Sequence, residues 1–167
     1  KHIMLPDYIS RDVLKAKDRN TMRPKVLAVH SGIKLPGSPG TPWATRVSKL
    51  VDNLEYIDLI TSIVEAQVSK NHKVLVLADR VNLLSTCKEL TSNSVLIVGM
   101  TKDRRAALDS IYEDKNVVYG QMSIFKEGIS ENILSCLVIA TPTNNESLLE
   151  QICGRVTRLY EDKLTPQ

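Results

Sequence analysis

Apolar and polar positions alternate along this chain in two rhythms, and the changes between them mark its elements. Tyr8 to Lys17 reads as a short helix capped by Asp7, and Lys25 to His30 reads as a strand. Ser31 to Pro42 holds three glycines and three prolines, so it is expected to be a loop or extended connection. From Arg46 to Ser69 the residues Val47, Leu50, Val51, Leu54, Ile57, Ile60, Val64 and Val68 recur at helical spacing, predicting one long amphipathic helix. A regular series follows: strand Lys73–Ala78, helix Val81–Leu90, strand Val95–Val98, helix Lys102–Tyr112 and strand Asn116–Tyr119. Then come a turn region from Gly120 to Glu131, strand Cys136–Ala140, and a last helix. Uninterrupted apolar strands alternating with helices predict an open α/β fold whose mainly parallel sheet is covered on both faces. Ligands in such sheets gather at the carboxyl ends of the strands, where Asp79–Arg80, Gly99, Gly120 and Thr141–Pro142 fall.

Composition narrows the partners without choosing one. The 167 residues are 43% hydrophobic and 25% charged, enough for one filled core, and the net charge of +3 permits nucleic-acid binding through a local patch. No apolar run approaches the ~20 residues that cross a bilayer, so a cytoplasmic setting is expected. Cys87, Cys136 and Cys153 are far apart and lack histidines at ligand spacing, so they read as buried reduced thiols. His2, His30 and His72 are scattered too, and no metal site is expected.

The densest candidate chemistry lies in Gln151-Ile152-Cys153-Gly154-Arg155-Val156-Thr157-Arg158. Residues i and i+3 share a helical face, so Arg155 and Arg158 are expected to converge on one anion, with phosphate the leading choice. Permanently charged guanidinium groups stabilise the charge that phosphoryl transfer spreads over equatorial oxygens. Gly154 allows close backbone approach to a strand or ligand, and Gln151 offers a neutral donor and acceptor for a water or phosphate.

Taken in order, Asp79–Arg80 at a strand end, Glu127-Gly128-Ile129, strand-Ala140-Thr141-Pro142 and Gln151-x-x-Gly154-Arg155-x-x-Arg158 resemble the second RecA-like lobe of superfamily-two helicases. The last segment matches that family's motif VI, Q-x-x-G-R-x-x-R, at each defined position. The resemblance runs from about Arg46 to Arg158 and is strongest to DNA helicases of phages and large DNA viruses, including the branch-migrating kind.

The resemblance implies a motor of two RecA-like lobes with Mg²⁺ and ATP between them. Residues 46–167 are then the C-terminal lobe and residues 1–45 an extension or interdomain connection. Arg155 and Arg158 would reach the γ-phosphate as arginine fingers, with Gln151 sensing it and Gly154 giving room. Glu127 and Gly128 would couple nucleotide to nucleic acid. Arg80 would face a strand phosphate or buttress its loop, and Lys102, Arg104, Ser123 and Thr141 would contact the nucleic-acid backbone in a salt-sensitive, sequence-independent way. DNA is the expected partner, with RNA as the alternative.

The chain departs from the family in carrying Ser130 where an acid usually follows Glu127-Gly128-Ile129, and Glu131 stands next. Gly32-Ile33-Lys34-Leu35-Pro36-Gly37-Ser38-Pro39 faintly imitates a phosphate-binding loop. It fails because Ser38 and Pro39 occupy the places of the lysine and the magnesium-binding hydroxyl, and its prolines remove N–H donors. With no P-loop and no D-E-x-x run among the 167 residues, the chain is expected to be half of a motor, part of a longer protein or a split subunit. Alone it is expected to be inactive. A non-catalytic RecA-like nucleic-acid-binding module is the competing reading; a small-molecule α/β enzyme is disfavoured by the lack of a Ser–His or Cys–His pair or a G-x-G-x-x-G loop.

Overall fold

The computed structural model describes residues 21–126, 131–143 and 145–167. The expected Tyr8–Lys17 helix lies outside them, as do Glu127, Gly128, Ile129 and Ser130. Four strands, β1 (Val74–Ala78), β2 (Ser94–Ile97), β3 (Val117–Gln121) and β4 (Cys136–Ile139), form one all-parallel sheet in the order β2-β3-β1-β4. Val74 pairs with Val117 on one side and Cys136 on the other, which places β1 in the interior with every residue buried. The α/β, helix-covered parallel architecture read from the pattern is the one observed.

Alternation along β1 divides the core into two layers. Val74, Val76 and Ala78 meet α1 (Trp43–Val51), α2 (Leu54–Val68) and α3 (Val81–Leu90) through Val47, Val51, Ile57, Ile60, Val64, Leu83, Leu84 and Cys87. Leu75 and Leu77 face the other way. There they pack with residues of α4 (Arg104–Glu113), α5 (Met122–Lys126) and α6 (Glu146–Val156), including Leu108, Ile111, Phe125, Leu148, Ile152 and Val156. Tyr119 is fully buried, and its hydroxyl meets Thr91 Oγ1 at 2.7 Å, satisfying the polar end of the ring.

Four expectations are corrected. The predicted long helix is two, because Asn53 is extended (φ −78°, ψ 122°) and its Oδ1 accepts the N–H groups of Glu55 (2.8 Å) and Tyr56 (3.3 Å). Asparagine is a preferred N-cap, so the Asp52-Asn53 pair between apolar residues was the available signal. Lys25–His30 forms no strand. The outer side of β4 bonds instead to Gln167, whose carbonyl accepts Leu137 N–H (2.7 Å) and whose N–H reaches Ser135 O (3.0 Å). Lys25 N–H therefore reaches only Pro166 O (2.7 Å), and Val26, Leu27 and Val29 stay exposed. Within the expected Gly120–Glu131 turn, Gly120 belongs to β3 and Met122–Lys126 is helical, a run too short to show helical periodicity. Lastly, Cys87 and Cys136 are buried thiols but Cys153 is exposed.

Among the described residues no helix is long and apolar enough to cross a membrane, and no cluster of three His, Cys, Asp or Glu side chains could hold a metal.

Candidate functional site

Helix α6 begins where Asn145 Oδ1 accepts Leu148 N–H (3.0 Å) and is held to the sheet by Leu148, Ile152 and Val156, spaced four apart on one face. That seam turns Gln151 and Gly154 to the exposed side. The helix ends at Val156 with Thr157 as its C-cap, so Arg155 occupies the last turn and Arg158 lies beyond it. The two guanidinium groups therefore do not share one continuous helix as their spacing suggested.

They nevertheless meet at one cavity. A space of about 650 Å³ is lined by Thr21, Asn132, Glu150, Gln151, Gly154, Arg155, Arg158 and Leu159. All four defined positions of Q-x-x-G-R-x-x-R are in that lining. A Cβ built on Gly154 would meet nothing within 4 Å, so among the described residues no element makes the close approach this glycine would permit. Its surface opens to the cavity.

Backbone ties hold the two arginines in different ways. Arg155 is half-buried and its Nη1 donates to the carbonyl of Phe125, at the end of α5. Around Arg158, Thr21 forms an antiparallel bridge and Met22 N–H donates to Thr157 O at 2.7 Å. Lys163 Nζ donates to Arg158 O at 2.9 Å and to Asn132 O at 2.7 Å, and burial lowers its ammonium to about 8. Thr21, Asn132, Glu150 and Lys163 were not singled out in the sequence: Thr21 and Asn132 come from segments distant from the motif, and Glu150 and Lys163, though close to it, occupy no defined motif position.

Glu131 closes this side. It is 4% exposed and accepts from Tyr112 O–H (2.7 Å) and Arg105 Nη1 (3.1 Å). Burial, together with the bond to Glu131, pushes Tyr112 up to about 12, and its ring sits edge-on to Tyr160, two residues past Arg158.

The remaining candidates occupy a second place. None of them is among the residues lining the arginine cavity. Arg80 and Ser123 closely follow the ends of β1 and β3, while Lys102 lies in the β2–α4 connection and Arg104 opens α4. Arg80 Nη2 donates to Ala44 O (3.4 Å) and Arg104 Nη2 to Gly99 O (3.3 Å), while Lys102 and Ser123 are exposed. Thr141 corrects the expectation of a surface donor. It is 1% exposed and its Oγ1 accepts Asp79 N–H at 2.9 Å, fastening the ends of β1 and β4 together.

No family model matches the chain. Probable helicase D10 of Escherichia phage T5 is 36% identical over 171 residues, an alignment that takes in 98% of this chain and 38% of the phage protein. The chain thus spans well under half of that relative. Among solved structures, T4 UvsW superposes with a TM-score of 0.61 at 17% identity, over 71% of this chain and 25% of that one. The C-terminal part of the Fun30 ATPase domain gives 0.58 at 20% identity, over 68% and 41% of the respective chains. The helicase domain of Pyrococcus furiosus Hef gives 0.51 at 18% identity, over 69% and 27%. At these identities the three structures establish a shared fold.

Proposed function

Taking this chain as a homologue of a phage helicase with the RecA-like fold of superfamily-two helicase domains, we propose that it is the C-terminal motor lobe of an ATP-dependent DNA helicase or translocase. The observation that carries this reading is the convergence of Gln151, Gly154, Arg155 and Arg158 on one open cavity.

The donor set fits the terminal phosphates of a nucleotide. Two guanidinium groups, two carboxamides and the backbone of Gly154 line the space, with Glu150 as the carboxylate among them. One carboxylate among cations suits an anion better than a divalent metal. The lobe's share of the work is therefore to neutralise phosphate charge, while Mg²⁺ and the phosphate-cradling loop belong to a P-loop lobe. ATP, when bound, supplies the phosphoanhydride whose cleavage drives the cycle.

In this reading Arg155 and Arg158 stabilise charge developing on the transferred phosphoryl oxygens, and Gln151 orients a water or phosphate oxygen beside them. Glu127 and Gly128 belong to the segment coupling nucleotide state to nucleic acid. Arg80, Lys102, Arg104 and Ser123 contribute phosphate contacts along the strand-end rim, with Thr141 supporting that rim from within. Residues 1–45 form the connection to the P-loop lobe.

The test is made in the intact motor protein. Arg158→Ala is expected to abolish nucleic-acid-stimulated ATP hydrolysis while leaving DNA binding largely intact, and this chain alone is expected to show no turnover. Unimpaired hydrolysis in Arg158→Ala would sink the arginine-finger role, and clear turnover by a clean preparation of this chain would overturn the half-motor reading.

A further inference from the structure

Helix α1 is a strap fastened near both ends to the segment that follows β1, at Arg80 and at Asn82 in the first turn of α3. Near its start, Ala44 O accepts Arg80 Nη2 (3.4 Å); just past its end, Asp52 Oδ1 accepts Asn82 Nδ2 (2.8 Å). Val47, Leu50 and Val51 face inward and are buried. The first residue of the helix, Trp43, is left 55% exposed, one position before the Ala44 carbonyl that holds Arg80. An indole of this size on the surface needs an explanation, because its apolar area is large and its neighbours at the start of the helix are small.

Charge at this point favours an anionic partner. Among the described residues Arg80 has no carboxylate partner; its Nη2 donates to a carbonyl, leaving further guanidinium donors to meet an anion. Helix α1 has no acid in its first turn. An exposed indole one residue from the carbonyl that holds a guanidinium offers the two chemistries of one repeating unit of single-stranded nucleic acid, a base face and a phosphate.

We propose that Trp43 is a base-stacking platform and that Trp43 with Arg80 grips one nucleotide of a single strand at the carboxyl end of β1. This rests on the motor-lobe reading and adds to it the contact that backbone phosphates alone do not supply. Stacking makes the grip tolerant of sequence and selective for unpaired bases, since a paired base has no free face.

Trp43 is the one tryptophan of the chain, so its emission reports this site directly. An end-labelled oligothymidylate is titrated with the protein, reading label anisotropy and, with unlabelled oligomer, indole emission. Binding is expected to quench the indole. Trp43→Ala is expected to weaken binding roughly 5- to 100-fold with the salt dependence unchanged, and Trp43→Phe to retain most of the affinity. Arg80→Gln is expected to lower the slope of log K against log salt by about one. If the oligomer binds without quenching and Trp43→Ala binds as well as wild type, the platform is overturned while the motor-lobe reading stands. Absence of any oligomer binding overturns the platform and the nucleic-acid track together.

Discussion

Gly120→Ala tests whether the core of the sheet and the arginine cavity are mechanically joined. Gly120 sits in β3, paired with Leu77 on one side and Ile97 on the other, so its backbone has little room to move. A Cβ there would lie 2.7 Å from Phe125 Cδ2, 3.0 Å from Cζ and closer still to Cε2. Ordinary contact begins at 3.4 Å, so the ring must retreat by more than about 0.7 Å. Phe125 is 2% exposed within the second core layer, and its carbonyl accepts Arg155 Nη1. Overpacking of this kind costs ~1–3 kcal/mol, or roughly 2–12 °C in Tm for a chain of this size.

Urea and thermal unfolding followed by circular dichroism measure that loss, with two comparisons built in. Gly99→Ala is the control, since its Cβ meets only Gln121 Oε1 at 3.9 Å, and it is expected to stay within ~0.5 kcal/mol of wild type. In Gly120→Ala/Phe125→Leu the new methyl fills part of the space vacated by the ring, so the double variant is expected to lose less than the sum of the single losses. Gly120→Ala as stable as Gly99→Ala, or strictly additive losses in the double variant, would refute the clash. In the intact motor, Gly120→Ala is also expected to lower nucleic-acid-stimulated hydrolysis, because the displaced α5 carries the acceptor of Arg155.

Asn53→Ala removes the acceptor of two N–H groups at the start of α2 and is expected to cost ~1 kcal/mol in urea unfolding, while Asn53→Asp retains most of the stability. Glu131→Ala leaves the Tyr112 hydroxyl without its acceptor beside a buried site and is expected to cost ~1–3 kcal/mol; a loss below ~0.5 kcal/mol would show the pair to be incidental. Alkaline pH is expected to destabilise the fold, because burial pushes the Cys87 and Cys136 thiols up to about 11 and the Tyr119 hydroxyl up to about 12. Their contribution is complete below the unfolded values of 9.0 and 10.0 and is lost as pH rises through the folded ones. Lys163, lowered from 10.5 to about 8, opposes this by favouring the folded state as pH rises across that interval. Urea midpoints should therefore fall between pH 9 and pH 11, and fall further in Lys163→Met, which removes the opposing group.

The local pattern located most elements because each buries one apolar face against the sheet. Val81–Leu90 matched its predicted bounds, and all four core strands were legible as runs bounded by polar residues. Where competing local bonds decided the outcome, periodicity misled. Asn53 broke a continuous apolar stripe by capping, and the outer side of β4 bonds to Gln167 while Lys25–His30 forms no strand. At the candidate site, Gln151, Gly154, Arg155 and Arg158 were legible as a motif, since spacing along one segment is a property of sequence. Thr21, Asn132 and Glu131 were not, because each reaches its place through a long chain excursion.

Sequence by itself thus determined the α/β class, the parallel sheet and the identity of the four motif residues, since these follow from the order of side chains along one segment after another. Tertiary structure decided that the arginines meet across a helix end rather than along a helix, that Thr141 faces inward, and that Trp43 stands exposed on the helix whose Ala44 carbonyl holds Arg80. Those relations depend on how distant backbones pack, on which carbonyl a guanidinium reaches and which ring fills a gap, and no spacing along the chain encodes them.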